Sequence, residues 1–325
     1  MESWVSVPKV ELHAHLNGSI RDSTLLELAR TLGEKGTIVF SEVEHVIRKN
    51  DRSLKEVFKL FDLIHILTTD HSTLTRITKE VVEDFASENV IYLELRTTPK
   101  KNDSIEMTKR SYMDAVIKGL RAITAVDVDF GCHDMESKGS TNLQPINDVN
   151  NLSPRKKIYV RLLLSIDRRE STASAMETVK LALEMQELGV VGIDLSGNPV
   201  IGEWVTFLPA LVFAREQGFR ITLHCGEVEI CLTSNIMTET ISSVDVHHFA
   251  DLYKEKHPLV LCTDDSGVFS TSLSKEYSLA ASSFGIGKEE MLRLAKSAVE
   301  FIFSGEEVKR ELREIFDSTM KELRL

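Results

Sequence analysis

Cysteine is scarce in this chain: Cys132, Cys225, Cys231 and Cys262 are the four among 325 residues. So few thiols exclude a disulfide-stapled framework. Three of them stand inside apolar runs that read as buried strands, so reduced thiols in a cytosolic protein are expected. Long apolar runs are missing as well, and none approaches the ~18 residues of a membrane span. Residues 1–10 lack the basic stretch followed by an apolar one that marks a secretory signal. Positive charge is in short supply, with 39 Lys+Arg against 50 Asp+Glu and a formal net charge of −11. Nucleic acid and anionic membrane surfaces attract clustered Lys and Arg, so neither is expected as a partner. A small anionic molecule is compatible with that balance, because a few placed basic groups suffice to bind it.

What the chain does have is an ordinary globular composition, 42% apolar and 27% charged. Short β-rich runs alternate with longer helical patterns. The strand-like runs cover residues 10–15, 90–95, 158–165, 190–195, 220–225, 229–233 and 259–263. Helical patterns cover 22–32, 53–67, 74–87, 107–123, 174–188, 204–217 and the tail from 288 to 325. This alternation predicts an α/β fold with a parallel sheet flanked by helices, as in a (β/α) barrel. Residues 1–325 are expected to form one barrel domain, with a long surface loop at 130–157 that is rich in Gly, Ser, Asn and Asp. One junction breaks the rhythm. Runs 220–225 and 229–233 are separated by Gly226-Glu227-Val228 alone, whereas parallel neighbours need a crossover of a dozen or more residues. Seven strands are therefore counted where a closed barrel has eight.

Chemistry concentrates at the strand ends. His13-Ala14-His15 places two imidazoles on one face of the first strand, a spacing that lets both meet one metal ion. His224-Cys225-Gly226-Glu227 follows the fifth strand, and Thr263-Asp264-Asp265 follows the last. In a parallel barrel these ends converge on one rim. Taken alone, Asp264-Asp265 also reads as a helix N-cap, but three coincident strand-end placements are more than capping requires.

Leu12-His13-Ala14-His15-Leu16-Asn17-Gly18-Ser19, Asp194-Leu195-Ser196-Gly197-Asn198, His224-Cys225-Gly226-Glu227 and Cys262-Thr263-Asp264-Asp265 occur in this order. Together they resemble the adenosine deaminase family of metal-dependent hydrolases, which have the TIM-type (β/α)8 barrel. Glu94-Leu95-Arg96-Thr97-Thr98-Pro99 and Ser165-Ile166-Asp167-Arg168-Arg169 are similar to the family branch that acts on N6-methyl-AMP. The resemblance implies one Zn2+ per chain, held by His13, His15, His224 and Asp264. Zinc would lower the pKa of its water and so supply a nucleophile for C6 of a 6-aminopurine. Glu227 would be the proton donor to ring N1, Asp265 would bond the imidazole edge, and Gly197 would approach N3. The expected reaction turns N6-methyl-AMP into IMP and methylamine. Adenosine is the alternative substrate, and a non-catalytic zinc-binding splice form the alternative outside catalysis. The zinc deaminases built on Pro-Cys-x-x-Cys are a different solution, and this chain has no Cys-x-x-Cys.

Further substrate contacts are expected from Asn17, His15, His65, Arg96, Thr97, Thr98, Pro99, Lys100 and Asp167, with hydroxyls and cations near Arg96 taking a phosphate. Lys100 also reads as a solvated loop residue, and His65 as a structural histidine on an apolar helix. The protein is expected to be monomeric. The resemblance also exposes a deletion between Val228 and Glu229, where relatives carry a helix, the sixth strand with a His-Arg-Ile-Gly-His-type motif, and another helix. That motif supplies the histidine that orients the nucleophile, so impaired activity is expected of this form. The clean join reads as a skipped exon or an error in the gene model.

Overall fold

The computed structural model describes residues 4–49, 52–131, 155–198, 200–224 and 228–324. Eight strands form in it: β1 (Lys9–His15), β2 (Val90–Thr97), β3 (Asp127–Asp129), β4 (Lys157–Asp167), β5 (Val190–Ser196), β6 (Arg220–Leu223), β7 (Glu229–Ile230) and β8 (Val260–Leu261). Every ladder between them is parallel. All seven expected strands are present, and the short β3, too brief to leave a pattern, is added beside the start of β4. Parallel strands covered on both faces are buried along their length and mostly apolar. Accordingly all eight residues of β2 are buried, and the core runs continuously from the strands into the helices.

The main ladder runs in the order β1-β2-β4-β5-β6, and β7 pairs with β8 in a ladder of its own. A bridge between Ala14 and Asp264 carries the β8 end back to β1. The Asp264 amide donates to the His13 carbonyl at 2.7 Å, and the His15 amide donates to the Asp264 carbonyl at 2.9 Å. The sheet thus curls round as a TIM-type barrel does, with one interruption. Among the described residues no ladder joins β6 to β7. The few residues between them cannot make a parallel crossover. Among the described residues β6 and β7 are not paired as an antiparallel hairpin either, since each bonds in parallel only to its outer neighbour. The run expected as a strand over 229–233 is shorter than its composition suggests. Leu232–Met237 is helical, because the Thr233 amide and hydroxyl are taken by Glu276 and the Ser234 hydroxyl by Asp264.

The expected helices are observed at Asp22–Glu34, Leu54–Leu67, His71–Ser87, Lys109–Arg121, Thr172–Glu184 and Trp204–Glu216. Helices Phe40–Arg48 and Leu273–Phe284 come in addition, and the expected 288–325 tail is split into Lys288–Ser297 and Glu306–Glu322. Most of the loop expected at 130–157 lies outside the described residues, and Lys157 already belongs to β4. Among the described residues no helix is long and apolar enough to cross a membrane.

Helices 71–87 and 109–121 meet at Gly119, where a Cβ would stand 2.6 Å from the Thr75 carbonyl oxygen and 2.6 Å from the Thr78 Cβ. Backbone on a rigid helix cannot move aside for it. Gly119→Val is expected to destabilise the fold by about 1–3 kcal/mol through overpacking, read as a lower urea midpoint at unchanged m-value.

Candidate functional site

The strand ends bring four ligating side chains together. His13 and His15 come from β1, His224 follows β6, and Asp264 follows β8. One donor atom from each lies within 4.8 Å of all the others. His224 Nε2 stands 3.2 Å from His13 Nε2 and 3.0 Å from His15 Nε2. Asp264 Oδ1 is 3.5 Å from both His13 Nε2 and His15 Nε2. Four ligands about 2.0–2.1 Å from a tetrahedral ion stand about 3.3 Å apart, so these separations fit one small divalent cation. The backbone of Asp264 sits in the left-handed region at φ 62°, a conformation that costs a non-glycine residue on the order of 1 kcal/mol or more. Two backbone hydrogen bonds to β1 hold it there, and Ser234 Oγ donates to Oδ2 at 2.7 Å, which leaves Oδ1 for the cluster.

The far sides of two imidazoles are also held. His13 Nδ1 donates to Glu229 Oε2 at 2.7 Å, and His224 Nδ1 donates to Asp194 Oδ1 at 3.1 Å. Each pairing fixes Nε2 as the atom that faces the cluster. Arg96 lies beneath both carboxylates, 2.6 Å from Glu229 and 3.2 Å from Asp194. Burial pushes the Glu229 carboxyl up, but the charge of Arg96 and the bond to His13 outweigh it and hold it down at about 2. Asp194 is held well below its usual range against its own burial, by His224 and Arg96. Burial and the neighbouring His224 drive His15 down to about 3, so its ring is neutral and keeps a lone pair for a cation.

Beside the cluster opens a cavity of about 360 Å³. His15, Asn17, His65, Arg96, Thr97, Thr98, Lys100, Asp167, Gly197, His224, Asp264 and Asp265 all border it. Pro99 is buried and does not, and His13 reaches only the metal side. Glu227 lies outside the described residues. Asp265 is 6% exposed and its Oδ1 has no hydrogen-bond partner among the described residues. Burial first and the adjacent Asp264 second push its carboxyl well above the ordinary range, so it is a neutral donor. Gly197 has φ 100°, and a Cβ there would come 3.1 Å from Asp167 Oδ1, so both conformation and space require glycine.

Lys100, Arg169 and His65 stand near one another along the cavity. Lys100 is lowered to about 8 by burial and by Arg169. Arg169 pairs with Asp167 at 2.6 Å. His65 Nδ1 donates to the Phe61 carbonyl at 2.8 Å, which leaves Nε2 as an acceptor, and burial and Lys100 lower its pKa to about 4. Thr97 Oγ1 is committed to Tyr112 Oη at 2.8 Å. Asn17 Nδ2 donates to Thr68 Oγ1 at 3.2 Å.

Arg96 is placed differently from the sequence expectation. It is fully buried, and besides its two carboxylates it donates to the Leu12 carbonyl at 2.6 Å. Alternation along β2 turns residue 96 into the barrel, where its charge meets the carboxylates behind His13 and His224 while the residue still borders the cavity. Sequence reasoning missed Asp194, Glu229 and Arg169. The readable signal for the first two was a carboxylate inside an otherwise apolar strand.

The sequence profile of the adenosine deaminase family, described as "Adenosine deaminase", matches residues 8–229 and 228–319. The chain is 61% identical to the N6-mAMP deaminase of Arabidopsis thaliana, covering 98% of this chain and 99% of that protein. It is 33% identical to the N6-methyl-AMP deaminase of Homo sapiens, over 95% of this chain and 92% of that one. A crystal structure of Arabidopsis ADAL complexed with IMP superposes with a TM-score of 0.89 at 60% identity, covering 99% of each chain. The family match and these relatives mark the chain as a purine deaminase hydrolase. The chain belongs to the adenosine deaminase family. The family match breaks at the Val228–Glu229 junction, and the Arabidopsis alignment runs over 358 positions, more than the 325 residues present here.

Replacing Glu229 by Gln keeps the shape of the residue but removes the anion behind His13. Metal affinity, measured by chelator competition on the full chain, is expected to fall about 10–100-fold, with the melting transition still cooperative.

Proposed function

We propose that this protein is a zinc-dependent hydrolase that converts N6-methyl-AMP and water into IMP and methylamine, and that the form described is impaired. The observation that carries the reading is one cavity bordered by three of the four metal-type ligands, His15, His224 and Asp264, by Lys100, and by Asp265, whose Oδ1 has no hydrogen-bond partner among the described residues. The 61% identity to the Arabidopsis N6-mAMP deaminase supports the choice of substrate.

His13, His15, His224 and Asp264 would hold the ion, and Glu229 and Asp194 keep two of those rings in register. Bound there, zinc would supply a water of near-neutral pKa as the nucleophile. Asp265, protonated, donates to the acceptor nitrogen on the imidazole edge of the purine. The Gly197 amide approaches N3. Together they turn C6 toward the quartet and hold the base in one plane. Glu227 gives a proton to N1, which breaks aromaticity at C6 as the oxygen of water adds; one proton of that water passes to the amino nitrogen, the C6–N bond breaks and neutral methylamine leaves, and the hydroxyl left on C6 returns its proton to Glu227 as the carbonyl of IMP forms. Asn17, His65, Thr98, Lys100 and Asp167 border the space left for ribose and phosphate. A cation and a hydroxyl, Lys100 and Thr98, suit the phosphate oxygens.

The histidine that orients the nucleophile belongs to the segment missing between Val228 and Glu229. Loss of such a group typically lowers turnover by about 10²–10⁴-fold. The test compares N6-methyl-AMP, AMP and adenosine as substrates for the 325-residue chain and for a version with the segment restored. The restored enzyme is expected to prefer N6-methyl-AMP and to exceed this form at least ~10²-fold. Equal, rapid turnover by the unrestored chain would overturn the impairment, and preference for adenosine would overturn the substrate. In the restored enzyme, Lys100→Met is expected to raise KM for the nucleotide at least ~10-fold while leaving KM for adenosine nearly unchanged.

A further inference from the structure

Six exposed large apolar residues fall between positions 200 and 212: Val200, Ile201, Trp204, Val205, Leu208 and Val212. Single exposed apolar residues need no explanation, but a contiguous set marks a contact surface. Three of them, Val205, Leu208 and Val212, follow one another at spacings of three and four along helix Trp204–Glu216, the spacing of a helix-pairing seam. The opposite face already packs on the barrel through Phe207, Ala210, Leu211 and Ala214, all nearly or fully buried. A helix that is apolar on every side belongs between neighbours.

One neighbour is in place, since Thr172 at the start of helix Thr172–Glu184 donates to the Thr206 carbonyl at 2.8 Å. On the other flank a barrel would place the helix that follows β6. Here the chain passes from β6 to β7 with only residues 224–228 between them, too few for that helix. The seam is therefore left open by the same shortening that interrupts the sheet, and the substrate reading plays no part in this argument.

We infer that helix 204–216 is a self-association surface, on which a second copy of this chain docks its own helix 204–216 antiparallel about a two-fold axis. Charge placement favours the second copy over an unrelated partner. Glu203 precedes the seam and Arg215 closes it, and both are exposed. Antiparallel pairing that sets Val205 against Val212 of the other copy brings Glu203 within about one residue of the other copy's Arg215, twice per dimer by symmetry. A parallel pair would set Glu203 against Glu203 and form neither of these contacts.

Sedimentation equilibrium on the full 325-residue chain tests this. A closed dimer is expected, dissociating in the micromolar range, on the order of 1–10 µM. Leu208→Glu is expected to weaken it at least ~10-fold, as loss of a central apolar anchor does. Glu203→Arg and Arg215→Glu should each weaken it, and the double variant should restore it. Restoring the missing segment should return a monomer, because its helix covers the seam. A wild-type chain that melts cooperatively yet stays monomeric at ~100 µM would overturn the inference. So would open-ended aggregates indifferent to Leu208→Glu, or a double swap that fails to recover the dimer.

Discussion

A single buried guanidinium organises this molecule. Arg96, with no exposed surface, joins Asp194 on β5, Glu229 on β7 and the Leu12 carbonyl on β1 to its own strand, β2. Two carboxylates this deep would take up protons or repel one another without a cation between them. With Arg96 present both stay ionised, and each holds one imidazole of the metal-type cluster from behind. Removing one partner from such a network typically costs about 3–5 kcal/mol because a charge is left buried and uncompensated. The consequence reaches past stability to the direction in which His13 and His224 present their nitrogens.

The same contact bridges the break in the sheet. β7 has no ladder to β6 among the described residues and pairs only with β8. It is tied back by Glu229, which bonds both Arg96 and His13. β8 is tied by Thr263, whose amide and hydroxyl donate to the buried Glu11 on β1 at 3.0 and 2.8 Å. Polar side chains inside the barrel thus carry connections that backbone ladders carry elsewhere. All four proposed ligands are thus presented in register although no ladder joins β6 to β7 among the described residues. The outer layer has no such repair. Helix 204–216 carries exposed apolar residues, Val205, Leu208 and Val212.

The strands were legible because a parallel strand covered on both faces writes an unbroken apolar run, and all seven such runs became strands. Helix Phe40–Arg48 left little trace because it is largely exposed and buries Ile47 alone. Helix Leu273–Phe284 escaped for the opposite reason: its inner face includes Ser274 and Glu276, so the apolar period is blurred. The metal quartet was readable because strand ends of a barrel share one rim. Arg96 was not, since position 96 at a strand end reads as a mouth residue. Its real partners lie 98 and 133 positions away. Glu229 was hidden inside a run that reads as strand over five residues and is strand over two.

Adjacent carboxylates show how far environment separates like groups. Asp264 and Asp265 are neighbours in sequence, both buried, yet their acidities are driven in opposite directions. Hydrogen bonding and charge from His13 outweigh burial at Asp264 and keep it anionic. Asp265 meets burial and the negative charge of Asp264, with only a weaker opposing pull from His13, and keeps its proton. The pair therefore supplies one anion for a cation and one neutral donor for a ring nitrogen, within a single turn of backbone. Two anions here would repel, and two neutral acids would leave the histidines without a charge to complete the proposed metal site. Titratable groups pushed apart in this way are the usual signature of divided catalytic labour. In this chain both carboxylates border one cavity, and the left-handed backbone at Asp264 lies at the step between them.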